Sequence, residues 1–468
     1  MITFFRIKTF FHILSILVIL MLLKLPFILS GMPILQTELE WLLVGERLNM
    51  GYALYQDIWT AMPPLNAYLH GIIHFFFGRN FYYHELIAIM LVFAQAILLN
   101  QIVNSKKVLF ENNYLVGVVY VLVLSLSFDS IKLSPMLIGN TFLIMALNSM
   151  LSQIESKDGS TQSVFEIGLF IGIGSLFVQT FPLFLIWGVI GVIMFCSPSP
   201  NQLILVIIGF LLPVFGFYIY YYFIGNADVA IRQWLGQGYR NSTFSLSDIR
   251  PLLLLYITPI VLAFLGFFQT SAYNRYTSYQ FRKQQSIVLL GMVSIVVYFA
   301  SNEGASYQFL GIAPFLAIFI TAFFLHFKNI YLAEVLFVLF VLVVYGLSHA
   351  GFNGFLGFRY EHLSELKVKE DATPTYAKDK FILVTGKNNS AYYQAKPGSA
   401  YTNYVISEYD LDNPNIYESV VSISENMKKT LPEVIIDNEQ VFPAIFTRIP
   451  LLSNQYQRIE GTKNYRLK

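Results

Sequence analysis

The sequence predicts a polytopic α-helical membrane protein of about eleven spans, with interfacial helices in the first outer loop and a small C-terminal α/β extracytoplasmic domain. Of its 468 residues, 56% are hydrophobic and only 12% are charged, whereas a soluble domain usually carries about a quarter charged residues. Apolar segments recur along roughly the first three quarters of the chain. After Leu347 these segments stop and charged residues become frequent.

Charge and cysteine content narrow the class of protein further. The formal net charge is +2, and no run of lysine or arginine exceeds two neighbours, so nucleic-acid binding is set aside. The single cysteine, Cys196, allows no intramolecular disulfide. The first apolar segment lacks a small-residue cleavage site, so we expect it to be a retained span rather than a signal peptide.

The predicted spans are apolar segments bounded by polar residues or turn formers. They occupy about residues 11–29, 84–103, 114–127, 134–151, 164–178, 181–196, 203–224, 251–269, 286–300, 307–326 and 330–348. Lysine and arginine in the short loops favour a cytoplasmic N-terminus. With an odd number of spans, the C-terminus then lies outside the cytoplasm, in a cell (inner) membrane. We expect a transmembrane domain over 1–349 and an extracytoplasmic α/β domain over 350–468.

The first outer loop, Thr37–Gly78, combines acidic and aromatic residues directly after the first span, in which Lys24 is expected to snorkel to the membrane surface. Apolar and charged residues alternate irregularly at its start, which predicts a short interfacial helix that ends at Gly51. The Pro63-Pro64 pair predicts extended backbone before the next helix. The loop is therefore a candidate rim of an active site.

The C-terminal region predicts a small α/β unit. Phe381–Gly386 and Glu433–Asp437 have the apolar composition of buried strands, and Asn415–Lys429 is predicted to be a helix. The order strand, helix, strand favours an α/β arrangement.

Three carboxylates are candidates for catalysis, and each has a second interpretation. Glu38 or Glu40 can act as a general base or a metal ligand, or both can be solvated head groups on an interfacial helix. Asp129 can be a second catalytic carboxylate, or a loop residue paired with Lys132. His70 and His74 have the spacing of two metal ligands, but no third ligand is evident and an interfacial role is favoured.

Positive charge in the outer loops would attract a phosphate group. It is supplied by Arg232, Arg240 and Arg250, while Glu303 and Tyr307 stand at the outer entrance of a late span. No Gly-rich phosphate loop follows a strand, so nucleotide binding by such a loop is not indicated.

The run GERLNMGYALYQDIWTAMPPLNAYLHGIIHFFFG resembles the first outer loop of the glycosyltransferase C superfamily, particularly bacterial relatives of the protein mannosyltransferases and of the lipid A aminoarabinose transferase. The shared features are an acidic residue before a helix that ends in glycine, then Tyr, Asp, a Pro-Pro pair and Phe-Gly. In this chain they are Glu38, Gly51, Tyr55, Asp57, Pro63, Pro64, Phe77 and Gly78.

Two further segments are similar to that superfamily. Ser306–Leu310 followed by Ala313–Phe315 is similar to a segment in which a histidine-tyrosine pair enters a late span, although here only Tyr307 of that pair is present. The C-terminal FILVTG and LPEVIIDN segments resemble the outer domain of the superfamily.

The resemblance implies an inverting transfer of a sugar from a polyprenyl-phosphate carrier to an extracytoplasmic acceptor, which can be a glycan, a lipid or a protein. It implies Glu38 as the base, with Glu40 and Asp129 as alternatives. No cofactor is certain, and a divalent metal stays open. The implied partners are the lipid-linked donor, the acceptor and membrane lipid. The substrate-binding candidates are Tyr55, Asp57, Arg240, Arg250, Glu303 and Tyr307.

Two other functions remain open from the residues alone. A polytopic transporter or flippase would use intramembrane charges and repeated halves, and neither is obvious in the sequence. A non-catalytic component of polysaccharide export would need the acidic residues only at the membrane surface.

Overall fold

The computed structural model describes all residues except 7–9, 30, 32, 157–159, 197, 238–248, 273–275, 302–304 and 354–366. The chain divides into two compact units, and neither is contiguous in sequence. The first unit comprises Met1–Met32, Phe81–Phe217 and Ser242–His362. The second unit comprises Pro33–Asn80, Tyr218–Asn241 and Leu363–Lys468.

The first unit is built from apolar helices. They are α1 Ile2–Arg6, α2 Phe10–Leu29, α5 Phe81–Ser105, α6 Leu115–Leu124, α7 Pro135–Glu155, α8 Thr161–Ser175, α9 Phe184–Cys196, most of α10 Pro200–Ile224, α12 Ile249–Ala272, α13 Ser278–Phe299, α14 Ala313–Leu325 and α15 Ile330–Asn353. Each of the eleven predicted apolar segments therefore contains a helix.

Seven helical segments in the described part of the chain are long and apolar enough to cross a membrane. They are Phe11–Leu29, Phe81–Ser105, Pro135–Glu155, Pro200–Ile224, Leu252–Ala272, Ser306–Leu325 and Ile330–Ala350. Leu115–Leu124 and Phe181–Cys196 are apolar but shorter, and an upright span needs about 20 residues. The protein is thus a multi-pass membrane protein, while the count of eleven spans is not confirmed.

Lys24 in α2 is held within the first unit, and its expected snorkelling to the membrane surface stays a prediction. Its side chain is buried, and Nζ donates a hydrogen bond to the carbonyl oxygen of Phe128 at 3.2 Å. A buried ammonium group is costly unless it has such partners, and the carbonyl lies within the same unit.

The second unit begins with the two predicted helices of the first loop. They are α3 Gln36–Asn49 and α4 Pro64–Phe77, and Gly51, with φ +89°, follows the end of α3. The helices pack closely at Gly45, because a Cβ there would lie 2.6 Å from the carbonyl oxygen of His70. Pro63 has an extended backbone and directly precedes α4. Pro64 is the first residue of that helix, a position where a proline costs no hydrogen bond.

The remaining helices of the second unit are short. They are α11 Ala227–Ile231, α16 Tyr404–Asp412, α17 Tyr417–Lys429, α18 Phe442–Arg448 and α19 Pro450–Ser453. The predicted helix over 415–429 is therefore present as α17. Its apolar face packs with the sheet in one core that includes Leu383, Ile423 and Ile435.

The sheet has five strands in the order β2-β1-β3-β5-β4. They are β1 Phe381–Thr385, β2 Lys396–Pro397, β3 Val434–Asp437, β4 Tyr456–Arg458 and β5 Tyr465–Leu467. β1 pairs in parallel with both β2 and β3, whereas β5 is antiparallel to β3 and β4. The two predicted strands are thus the central parallel pair, and α3 and α4 belong to the same unit. The proposed domain boundary at 349/350 stays a prediction.

Candidate functional site

Glu38 lies in the first turn of α3 and is only 4% exposed. Its Oε2 accepts a hydrogen bond from the Leu35 backbone N–H at 3.4 Å. The first N–H groups of a helix have no partner within the helix, and a glutamate at this position can reach back to one of them. Glu38 is therefore held against its own helix terminus, and the interpretation as a solvated head group is wrong for it.

Glu40 is turned toward different partners. Its Oε1 accepts hydrogen bonds from Asn403 Nδ2 at 2.6 Å and from the Thr60 hydroxyl at 3.4 Å. The Asn403 side chain also accepts from the Val405 N–H at the start of α16. Glu40 thus links α3 to two other segments of the second unit, which is a structural role that the sequence did not predict.

Tyr55 and Asp57 stabilise the extended loop after α3. Tyr55 has φ +67° and is fully buried, and its hydroxyl donates to the Met62 carbonyl at 2.7 Å. Asp57 accepts from the Ala53 N–H at 3.1 Å and pairs with Lys429 Nζ at 2.9 Å. Both candidates therefore have partners within this unit, and their substrate-binding role stays a prediction.

Arg47 is a buried cation that the sequence analysis did not single out. Its guanidinium lies 3.6 Å from the ring centroid of Tyr52 and donates to the carbonyls of Pro397 and Asp57, both at 3.3 Å. Burial lowers the pKa of Arg47, and neighbouring groups including Tyr52 oppose that shift. The charge is accommodated by carbonyl dipoles and an aromatic face.

Arg79 is the second cation missed by the sequence analysis. It forms a salt bridge with Glu46 and donates to the carbonyls of Tyr392 and Ala395, each at 2.7 Å. The planar guanidinium can satisfy all three acceptors at once. The only sequence signal was its position after the Phe77-Gly78 pair that ends α4.

In the first unit, Asp129 is a buried carboxylate in a 3₁₀ turn, Phe128–Ile131, between two apolar helices. It accepts hydrogen bonds from the Ser127 hydroxyl and, at 3.2 Å, from the Tyr307 backbone N–H. Burial raises the pKa of Asp129, and these hydrogen bonds oppose the rise. The structure thus brings Asp129 and Tyr307 together, two candidates that are far apart in sequence.

Lys132, the expected partner of Asp129, forms an ion pair with Glu85 at 3.0 Å. Its side chain is 1% exposed, so this pair is largely shielded from solvent. Asp129 itself accepts from Ser127 and Tyr307. The pairing of Asp129 with a lysine is therefore not needed to explain its burial.

The remaining described candidates include both buried and exposed residues. His70 is buried with its ring 5.7 Å from that of Trp41, and it shares α4 with His74. Arg232 is exposed and donates to the Asp228 carbonyl at 3.4 Å. Within the described residues, no three His, Cys, Asp or Glu side chains are grouped so that they could hold a metal ion.

Three candidates are outside what the structure describes. Arg240 and Glu303 lie in the ranges 238–248 and 302–304. Arg250 belongs to α12, but the description does not extend to its side chain. Their predicted role in binding phosphate is therefore not tested.

Solved structures with a similar fold come from the glycosyltransferase C superfamily. The archaeal oligosaccharyltransferase AglB from Archaeoglobus fulgidus, in complex with an inhibitory peptide and a dolichol-phosphate, aligns with a TM-score of 0.50 and 10% identity, over 95% of this chain and 72% of that chain. ArnT from Cupriavidus metallidurans bound to undecaprenyl phosphate aligns with a TM-score of 0.46 and 11% identity, over 88% and 70%. At these identities only the fold is shown, and for the fold we rely on AglB.

No curated protein sequence matches the chain. One family model does, over residues 63–351, which is more than half of the sequence. That match begins at the Pro63-Pro64 pair and ends within α15. The chain therefore belongs to the family of unknown function DUF6427.

Proposed function

We propose that the protein is an integral-membrane glycosyltransferase that moves a sugar from a polyprenyl-phosphate carrier to an extracytoplasmic acceptor. The observation that carries this proposal is the fold similarity to AglB, whose structure contains a dolichol-phosphate and an inhibitory peptide. It is supported by a buried carboxylate, Glu38, in the loop that resembles the superfamily.

In this reaction the acceptor oxygen or nitrogen attacks the anomeric carbon of the sugar. The bond between that carbon and the phosphate oxygen breaks, so the polyprenyl phosphate leaves with the electron pair and the configuration inverts. Glu38 takes the proton of the acceptor. Its place at the N-terminus of α3 suits a carboxylate, because negative charge there is stabilised by the helix dipole.

Glu40 and Asp129 are the alternative bases. Asp129 has a raised pKa because it is buried, and a base with a raised pKa holds an accepted proton more tightly. The leaving phosphate requires hydrogen-bond donors or cations, for which we propose Tyr307, Arg240 and Arg250. Residues 350–468 are proposed to lie outside the cytoplasm, in a protein of the inner membrane.

The test is transfer of label in proteoliposomes. Purified full-length protein receives a panel of radiolabelled polyprenyl-phosphate sugars and a membrane extract that contains acceptors. We expect label to move covalently from the lipid to an acceptor, with inverted anomeric configuration.

A flippase would instead move the intact labelled lipid across the bilayer. Label that reaches the opposite leaflet but remains on the polyprenyl phosphate would contradict the proposal. A panel without any transfer, measured with protein that remains folded, would contradict it as well.

A further inference from the structure

A cleft of about 980 Å³ opens in the second unit where the central parallel strands end. Gly386, Lys387 and Asn388 line it directly after β1, and Asn438, Glu439 and Gln440 line it directly after β3. α16 provides further lining side chains, which are Tyr404, Glu408, Leu411 and Asp412. The volume is in the range of sites for small ligands, about 300–1,000 Å³.

The topology of the sheet favours ligand binding at this position. From β1 the chain runs to β2 on one side, and it then crosses to β3 on the other side of β1. In open α/β sheets, ligands bind outside the carboxyl ends of the strands, at the point where the chain direction switches in this way. The cleft occupies that point between β1 and β3.

The strand ends that form the cleft are held rigidly. Thr385 and Asp437 are paired in register, and their side chains are joined by a hydrogen bond of 3.0 Å. Asp437 also accepts from the N–H groups of Val441 and Phe442 at the start of α18. The two strand ends and the loop from β3 to α18 are therefore tied together, and a ligand that binds against them has little ordering cost.

Gly386 allows the two loops to approach each other. Its φ is +102°, and a Cβ at this position would lie 3.0 Å from Glu439 Oε1. A side chain other than hydrogen would be strained here and would displace the carboxylate. The glycine thus keeps Glu439 over the end of β1, on the rim of the cleft.

The charges that line the cleft are mainly negative. Glu408, Asp412 and Glu439 contribute carboxylates, and Lys387 contributes the single ammonium group among the lining residues. The Tyr404 hydroxyl donates to Asp412 at 3.0 Å. Burial raises the pKa of Tyr404, and the bond to Asp412 and the charges of all three carboxylates add to the rise. The carboxylates therefore act on one region of the cleft.

A divalent metal does not fit this arrangement. A metal ion needs ligands within about 2–2.6 Å of one point, and the described residues contain no such group of three His, Cys, Asp or Glu side chains. The volume of the cleft suits a larger cation, whose charge is carried on a polar organic body.

We propose that this cleft binds a small organic ligand that carries an ammonium group, held by Glu408, Asp412 and Glu439. The site goes beyond the transfer reaction proposed above and does not depend on it. An ammonium group of this kind can belong to an amino sugar or to a lysine side chain. The two sources share the chemistry that the cleft recognises.

Calorimetric titration of the full-length protein in nanodiscs of zwitterionic lipid tests the site. The probes are glucosamine, Nα-acetyl-lysine amide and, as a neutral match, N-acetylglucosamine. We expect at least one ammonium probe to bind saturably with a Kd on the order of millimolar, and N-acetylglucosamine to bind at least about tenfold more weakly. The tighter of the two ammonium probes identifies the source. Equal binding of the neutral sugar, or no saturable binding of any probe, would overturn the proposal.

Variants at the rim locate the bound probe. Glu408→Gln and Glu439→Gln should each weaken binding about two- to fivefold, as expected for partly exposed ion pairs. Lys387→Gln removes a like charge and should strengthen binding about twofold. Glu425→Gln, which changes an exposed carboxylate outside the cleft, is the matched control and should have no effect. If Lys387→Gln and the two carboxylate variants all bound like the wild type, the probe would lie elsewhere and the proposal would be wrong.

Discussion

The Glu38 carboxylate can be tested with little risk to the fold. Glutamine at this position can still accept the hydrogen bond from the Leu35 N–H, because either Glu or Gln serves in a capping box. Glu38→Gln should therefore insert and bind carrier lipid normally, while label transfer falls by a factor on the order of 10² or more. The measurement is the initial rate of transfer in proteoliposomes. Glu425→Gln, at an exposed position of the same unit, should keep the wild-type rate.

Variants of the other two carboxylates test separately whether Glu38 is the base and whether any of these carboxylates is the base. We expect Glu40→Gln to lower transfer far less, because that residue mainly binds Asn403 and Thr60. If Glu38→Gln stayed near normal while Glu40→Gln or Asp129→Asn abolished transfer, the base would be wrong but the reaction could stand. If all three variants stayed active, a carboxylate base would be ruled out.

Arg79 should contribute more to stability than its partly exposed position suggests. Arg79→Met leaves Glu46 and the carbonyls of Tyr392 and Ala395 without their donor, so we expect a loss of about 3 kcal/mol. Arg79→Lys keeps the charge but not the planar guanidinium group, and it should lower the stability by about 1–2 kcal/mol. Thermal unfolding of the full-length protein in detergent measures both.

A double variant provides the control for this pair. Arg79→Met combined with Glu46→Gln removes the buried unpaired charge, so its loss should be smaller than the sum of the two single losses. Strictly additive losses would show that the salt bridge does not couple the two residues.

Asp437 should give the second unit a specific pH dependence. Burial raises its pKa in the folded state, despite hydrogen bonds from Phe442, Thr385 and Val441. The folded protein therefore binds this proton more readily than the unfolded chain, whose aspartate has a pKa of about 3.9. Stability from this group increases as the pH falls through the folded pKa, and it becomes constant below the unfolded pKa.

Asp437→Asn removes this titration. The melting temperature of the wild type minus that of the variant should increase as the pH is lowered from 7 toward about 4. A difference that shrinks toward low pH would contradict the raised pKa.

At the scale of single residues, the sequence indicated which residues were candidates, but it did not predict the contacts that those residues form. Glu38 and Asp57 were chosen because they match the resemblance of the first outer loop, and Asp129 because it lies between two apolar segments. The contact between Asp129 and the Tyr307 N–H joins residues 178 positions apart, which no local pattern can reveal. Arg47 was not singled out, because the carbonyls that permit its burial come from Asp57 and Pro397, which lie outside its own helix.

Among the secondary-structure elements, α3 and α4 should be sensitive to volume at their crossing. Gly45→Ala places a methyl group against the His70 carbonyl, so the helices must move apart, and we expect a loss of about 1–3 kcal/mol. Gly216→Ala is the control, since a Cβ there meets nothing within 4 Å. It should be neutral in the same thermal unfolding measurement, and equal losses for both variants would contradict close packing at Gly45.

The sequence predicted the long or strongly apolar elements and missed the short polar ones. β1, β3 and α17 were predicted, because buried parallel strands are continuous apolar runs. β2 consists of only Lys396 and Pro397, and β4 and β5 have three residues each and are partly exposed. Such strands form because β1 and β3 provide edges to pair with, so their own residues carry little signal.

For the whole molecule, the predicted topology places Met1 in the cytoplasm and Lys468 outside. The described residues contain seven long apolar helices, and the sequence predicts eleven spans. Both counts are odd, so either one puts the two termini on opposite sides. A reporter active only in the cytoplasm, fused after Lys468, should be silent, and the same reporter at the N-terminus should be active. A bright signal from the C-terminal fusion would show an even number of spans.

Composition was sufficient to predict a membrane protein, but it did not predict how the chain divides. The boundary at 349/350, which treats both domains as contiguous in sequence, stays a prediction. In the structure, Pro33–Asn80 and Tyr218–Asn241 belong to the same compact unit as Leu363–Lys468. A hydropathy profile averages over neighbours in sequence. It therefore cannot show that two short, distant segments pack with the C-terminal segment in one unit.

The bond between Lys24 and the Phe128 carbonyl has a consequence for biosynthesis. The two residues are 104 positions apart, so at about 5–20 residues per second the ribosome needs roughly 5–20 s to supply the acceptor. During that interval the Phe128 carbonyl cannot accept a hydrogen bond from the Lys24 ammonium group, and a charged side chain in a span costs up to about 2.5–3.5 kcal/mol on insertion scales. The contact between Lys24 and the Phe128 carbonyl therefore forms only after a quarter of the chain has been made, and the first helix should reach its final packing well after its own synthesis.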